Sequence, residues 1–216
     1  VLCDRLERLI RAAASQKFKR PDGDVVPKFV YLDMEEYRDK DLTAEAFMRT
    51  LDRPGLKTTR VGIALQSYLP DSFRTLLAIQ NWARSRVAAA GGRITIRIVK
   101  GANMESERVE ASLRGWPQAP YTTKRETDAN FKRMLQECLK PENLAAIDVG
   151  VASHNLFDLA YGLVLAQERQ AFDRVQFEML EGMANHQRRA LCELSRNVLL
   201  YAPAVKKENF INAIGY

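Results

Sequence analysis

The residue types that could do chemistry in this sequence gather at the ends of its apolar runs. Arg97 lies inside Ile94–Val99, an otherwise apolar and β-branched run, and Lys100 follows it directly. A guanidinium is costly to bury unless it meets an anion or an acceptor. Arg97 therefore reads either as a ligand-holding group or as one half of a salt bridge, with Asp33 a candidate partner. The two readings are compatible, because a carboxylate can position an arginine that works on a ligand. Lys100-Gly101-Ala102 joins a cation to small residues that let a ligand reach the backbone, although the same pattern also suits a plain turn.

Ser153-His154-Asn155 holds one of the chain's 2 histidines. Ser153 and His154 are neighbours and would face opposite sides of a strand, and no G-x-S-x-G elbow is present, which argues against hydrolase chemistry. His154 reads as a ligand contact, with Asn155 as a helix cap in the plainer reading. His186, by contrast, reads as an exposed position at a helix start beside a solvated Arg188-Arg189 face. The 3 cysteines, Cys3, Cys138 and Cys192, form no CxxC pair, so no metal site is expected. Trp82 and Trp116 read as packing residues.

The elements that must position these groups alternate. Amphipathic helices are expected over 2–14, from a Thr43 cap to Pro54-Gly55, from Pro70 to Gly91-Gly92, and over 124–139. Gly91-Gly92 would end its helix through the left-handed conformation that glycine adopts without strain. Strands are expected at 28–32, 61–65, 94–99, 147–152, 175–180 and 197–201. A loop would carry Lys17-Phe18-Lys19-Arg20, another would span Trp116-Pro117, and a last helix would begin near Lys207 and run to Tyr216. Such alternation implies a parallel sheet buried on both faces.

An open doubly wound sheet should carry a G-x-G-x-x-G turn, and none is present. In a closed barrel every strand tip meets at one mouth. The tips are Asp33, Gln66, Lys100, His154, Glu178/Glu181 and Tyr201. A (βα)8 TIM-type barrel is therefore expected. About six of its eight units would lie within residues 1–216, as part of a single domain, with the first two units and the end of the last helix absent. Arg97, Lys100 and Lys124 would make the mouth cationic and suited to a phosphate-bearing ligand.

The 216 residues are 46% hydrophobic and 28% charged, close to globular averages. The net charge is +6, but 33 basic residues are spread among 27 acidic ones, so nucleic acid is not an expected partner. No apolar window is long enough to span a bilayer, and the thiol usage suits a reducing cytoplasm.

Leu32-Asp33-Met34-Glu35-Glu36, Gln66-Ser67-Tyr68, Arg97-Ile98-Val99-Lys100-Gly101-Ala102, Ser153-His154-Asn155, Phe177-Glu178-Met179-Leu180-Glu181-Gly182-Met183 and Tyr201-Ala202-Pro203 follow one another in that order. Together they resemble the proline dehydrogenase domain of the bifunctional proline-utilisation flavoenzymes. The resemblance runs from about Lys28 to Tyr216. It implies FAD across the barrel mouth and oxidation of L-proline to pyrroline-5-carboxylate by hydride transfer to flavin N5. Electrons would pass on to a quinone. A fused or partner pyrroline-5-carboxylate (aldehyde) dehydrogenase and a cytoplasmic location, peripheral at the inner membrane, belong to the same implication.

Carried over motif by motif, the resemblance makes Arg97 and Asp33 the catalytic pair. It assigns FAD contacts to Met34, Gln66, Arg97, Lys100, Gly101, Ala102, Ser153, His154, Asn155 and Glu178, with Lys124 and Thr127 toward the ribityl–pyrophosphate portion. Ala102, Leu180 and Tyr201 would wall the proline pocket. Asn103-Met104 stands where related enzymes often have Tyr-Trp, and Glu178 and Glu181 replace Gln and His. The lysine and paired arginines that grip proline's carboxylate in the family are not among these residues, which implies weak proline binding by the piece alone. Two other readings stay open: a phosphate-binding barrel lyase or aldolase with Lys100 as its Schiff-base amine, and a catalytically incomplete barrel that only binds.

Overall fold

A computed structural model describes residues 1–195, 197–202 and 205–211. The elements in chain order are α1 (Leu2–Ala14), β1 (Lys17–Lys19), β2 (Val25–Pro27), β3 (Tyr31–Leu32), α2 (Lys40–Leu51), β4 (Gly62–Gln66), α3 (Ser72–Ala88) and β5 (Ile94–Val99). Then come α4 (Met104–Arg114), α5 (Lys124–Cys138), α6 (Pro141–Leu144), β6 (Ile147–Ala152), α7 (Leu156–Glu168), β7 (Val175–Leu180), α8 (Asn185–Leu194) and β8 (Val198–Tyr201).

The six strands β3 to β8 form one sheet in chain order, every neighbouring pair parallel. In a flat sheet the two edge strands would stand about 24 Å apart, at five spacings of about 4.8 Å. Instead the rings of Tyr31 on β3 and Tyr201 on β8 are 6.4 Å apart. The sheet curls into a partial barrel with helices outside, the expected TIM-type architecture with six strands in place. The layer between the sheet and the helices is filled by Ile63, Leu65, Ile96, Ile98, Val149, Val151 and Phe177 from the strands' outward faces, all buried, against Leu76, Ile79 and Phe131 of the surrounding helices.

Several local expectations are corrected. The basic run at Lys17 is strand β1 of an antiparallel hairpin with β2, its turn carried by Gly23 at φ +99°. The strand expected at 28–32 shrinks to Tyr31–Leu32. Helix α2 starts at Lys40, after a 3-10 turn at Tyr37–Asp39, so Thr43 lies inside it and caps nothing. Helix α3 ends with Ala90 in the left-handed region at φ +60°, not with a glycine. Gly91 and Gly92 serve a close approach: a Cβ on Gly92 would stand 2.6 Å from the Thr58 carbonyl. Helices α4 and α6 occupy stretches expected as loop. Trp116 is exposed and lies under the Arg114 guanidinium rather than in the core. Near the end, Lys207–Asn209 is a 3-10 turn; Pro203 and the expected helix beyond 211 lie outside the described residues.

Candidate active site

Parallel strands point the same way, so the C-terminal ends of β3 to β8 open on one side of the sheet. Arg97 reaches into the curl from β5. Its Nε–H donates to Glu178 Oε2 at 2.8 Å, and its Nη1 stands 3.9 Å from Asp33 Oδ2. The Tyr201 ring lies under the guanidinium, 4.9 Å from ring centre to Cζ. Tyr31 donates its hydroxyl proton to the other Glu178 oxygen at 2.7 Å. Burial pushes the Glu178 carboxyl above the usual glutamate range, opposed by the Tyr31 hydrogen bond and the Arg97 charge. Burial likewise raises the Tyr31 and Tyr201 phenols, which stay protonated donors. The Tyr201 hydroxyl faces the same carboxylate but makes no hydrogen bond of good geometry to it. Arg97 thus has its carboxylate partner, and that partner is Glu178 first, with Asp33 second and loose.

Lys100 closes β5 and sits between Asp128 at 2.5 Å and Asp158 at 2.6 Å, above the Phe131 ring. Burial draws its pKa down, but the two hydrogen-bonded carboxylates outweigh burial and hold it above the ordinary lysine value. Lys124, in the first turn of α5, pairs with the same Asp128. The mouth expected to be cationic therefore meets each of its three cations with a carboxylate. A lysine held protonated by two carboxylates is also a poor Schiff-base amine, which disfavours the aldolase reading.

Ser153 donates to Asp158 at 2.9 Å, and Asn155 caps α7 by accepting from the backbone N–H groups of Phe157 and Asp158. The capping reading of Asn155 is thus realised. His154 accepts the Leu180 N–H at its Nε2, 3.0 Å away. Burial lowers its pKa, so the neutral ring carries its proton on Nδ1. Gln66 ties the loop after β3 by donating to the carbonyls of Met34 and Glu35, and Asn103 donates to the same Glu35 carbonyl at 2.8 Å. Asn103 therefore has an anchoring role in place of an aromatic one. Gly101, at φ +113°, is needed because a Cβ there would stand 2.1 Å from the Tyr68 ring. Ala102 beside it is exposed, and Met34 is buried.

Around this mouth several buried polar atoms lack a partner among the described residues: Gln66 Oε1, Ser67 Oγ, Thr127 Oγ1, His154 Nδ1 and the Tyr201 hydroxyl. Buried donors and acceptors are normally paired. Their clustering at the strand tips and the first turn of α5 suits a large polar ligand.

The sequence reading missed Tyr31, Asp128, Asp158 and Gly150. Tyr31 shares a strand face with Asp33 by the period of two, Asp128 stands four residues after Lys124 on a helix, and Asp158 lies in the first turn of α7 behind Asn155. Gly150 interrupts a β-branched strand, and a Cβ there would stand 2.2 Å from Glu178 Oε1.

The proline dehydrogenase family model matches residues 3–213. The chain belongs to the proline dehydrogenase family. Among solved structures it is similar to proline utilization A from Corynebacterium freiburgense, 42% identical with a TM-score of 0.89, over 99% of this chain and 21% of that one. It is also similar to proline utilization A from Bdellovibrio bacteriovorus inactivated by N-propargylglycine, 33% identical with a TM-score of 0.85, over 99% of this chain and 21% of that one. A mutant of the Bradyrhizobium japonicum protein, 23% identical with a TM-score of 0.80 over 98% of this chain and 20% of that one, shares the fold. The chain thus spans about a fifth of the length of these proline utilization A relatives. No curated protein matches it. Among the described residues, no helix is long and apolar enough to cross a membrane.

Proposed function

We propose that this chain carries the proline-oxidising site of a proline utilization A type flavoenzyme. L-proline would be converted to pyrroline-5-carboxylate with FAD as cofactor, and the electrons would pass on to a quinone. Family membership supports the class of reaction, and the observation that carries the site is Arg97 fixed between Glu178, the Tyr201 ring and Asp33 beside unpartnered polar atoms.

When bound, FAD supplies a hydride acceptor at N5 for the ring carbon beside proline's nitrogen, with the nitrogen proton lost. The protein supplies binding, orientation and charge. Arg97 would place a fixed cation where negative charge develops on reduction, the kind of preorganised electrostatic help that needs no rearrangement during reaction. Asp33 would hold the outer edge of that guanidinium. Gln66 Oε1, Met34, Gly101, Ala102 and His154 Nδ1 would line the ring system, and the buried Glu178, expected as a cofactor contact, would act on it through Arg97. Lys100, Lys124, Thr127, Ser153 and Asn155 would serve the ribityl–pyrophosphate side. Lys100 and Lys124 would there exchange part of their pairing with Asp128 for phosphate. Ala102, Leu180 and Tyr201 would wall off proline and exclude water.

A fused or partner pyrroline-5-carboxylate dehydrogenase fits the relatives' length, since a product of this kind is consumed by an aldehyde-oxidising step. A cytoplasmic setting with peripheral membrane contact would bring the site to quinone. The test is reconstitution of the full-length protein with FAD, followed by L-proline and a soluble quinone. Proline-dependent quinone reduction supports the reading, and flavin binding without it would defeat it.

A further inference from the structure

Glu178 is the most deeply buried carboxylate at the mouth, its side chain 0% exposed, and it is gripped at both oxygens. Oε1 accepts from Tyr31 on β3 and Oε2 from Arg97 Nε on β5, while the Tyr201 hydroxyl of β8 faces the same group. Two glycines clear the space. A Cβ on Gly150 would stand 2.2 Å from Glu178 Oε1, and one on Gly62 would stand 2.2 Å from the Tyr31 ring, which Phe29 braces edge-on at 4.8 Å. Arg97 is thereby held by its Nε edge, and its terminal amino groups are left toward Asp33, 65% exposed at the opening.

We propose that Tyr31 and Glu178 are positioning residues: they lock the Arg97 guanidinium in one orientation and set how much of its positive charge reaches the ligand at the mouth. This rests on the flavin reading above. A buried anion 2.8 Å from the guanidinium offsets its field. Tyr31 stabilises the anionic form of that carboxylate by donating to it.

The test uses two variants that keep shape. Glu178→Gln retains an oxygen for Arg97 Nε but removes the offsetting charge, so the midpoint potential of bound FAD should rise. Tyr31→Phe keeps the braced ring but loses the donor, so Glu178 should take up its proton at higher pH and the pH at which the potential inflects should move upward. In the flavin-free protein, hydrogen exchange of the Arg97 Nε–H should be slow and should speed up by about tenfold in Tyr31→Phe, the scale of one charge-linked hydrogen bond. Potentials that match the unsubstituted protein at every pH, together with unchanged exchange, would overturn the proposal. If the protein takes up no FAD, the flavin reading and the charge-setting half fall together; if FAD binds, proline reduces it and neither variant shifts anything, the positioning role alone is lost.

Discussion

Arg97 and Glu178 meet at 2.8 Å from strands that are not neighbours: β5 and β7 are separated by β6, and the contact crosses Gly150. The interior of the curled sheet is thereby emptied at one position so that a charge pair can form across it. Oxidation at the mouth would depend on how firmly that pair is held.

Replacing Arg97 with lysine should keep the charge but lose the Nε edge and the stack on Tyr201. FAD content should persist while the rate of flavin reduction by proline falls about a hundredfold, the usual cost of one well-placed donor. Stopped-flow reduction checks this, and unchanged kinetics would remove Arg97 from its role.

Tyr201→Phe removes a buried hydroxyl that makes no hydrogen bond of good geometry, so folding stability should hardly fall. Proline affinity should weaken by about tenfold with FAD content unaltered. Parallel binding titrations for the two ligands decide it, and equal loss of both would contradict a substrate wall.

Gly150→Ala should destabilise the protein by about 1–3 kcal/mol, because the added methyl group collides with Glu178 and approaches the Arg97 Cα. Urea denaturation measures it. The penalty should shrink when Glu178→Ala is combined with it, as a shared steric cause requires.

His154 should give the protein an acid-sensitive edge. Its pKa is lowered by burial, so the folded state binds fewer protons than the unfolded chain as pH falls through the usual histidine value. Its stabilising contribution is present above that value and lost below it. Protonation also takes away the Nε2 acceptor of the Leu180 N–H, loosening a proposed wall of the proline pocket. Stability and proline affinity should both fall from roughly pH 7 to pH 5, and His154→Gln, neutral throughout, should flatten that fall. A slope identical in the variant would show that His154 does not cause it.

Much of this arrangement can be read from the chain because apolar runs and helix signals are local. The strands from 61 to 180 and the cap at Asn155 follow from periodicity and residue type alone. The hairpin at Lys17 escaped because its strands are three residues each and mostly exposed, with no apolar alternation to mark them. Helix α4 escaped because Ala111 is its only buried residue, which leaves a weak periodic signal. At the site, Arg97 is legible as a cation in an apolar strand and Asp33 as a partner, but its nearer partner is not. Glu178 lies 81 residues away, and the choice of Glu178 over Asp33 depends on strand register and on the room left by Gly150. The same holds for Lys100, whose two carboxylates arrive from α5 and α7.

The most direct measurement is an anaerobic titration of the FAD-loaded, full-length protein with L-proline, followed at the flavin absorption band. The band should bleach to the reduced form, and Arg97→Lys should slow that bleaching without releasing the cofactor. A flavin that binds firmly at this mouth and stays oxidised at saturating proline would contradict the account.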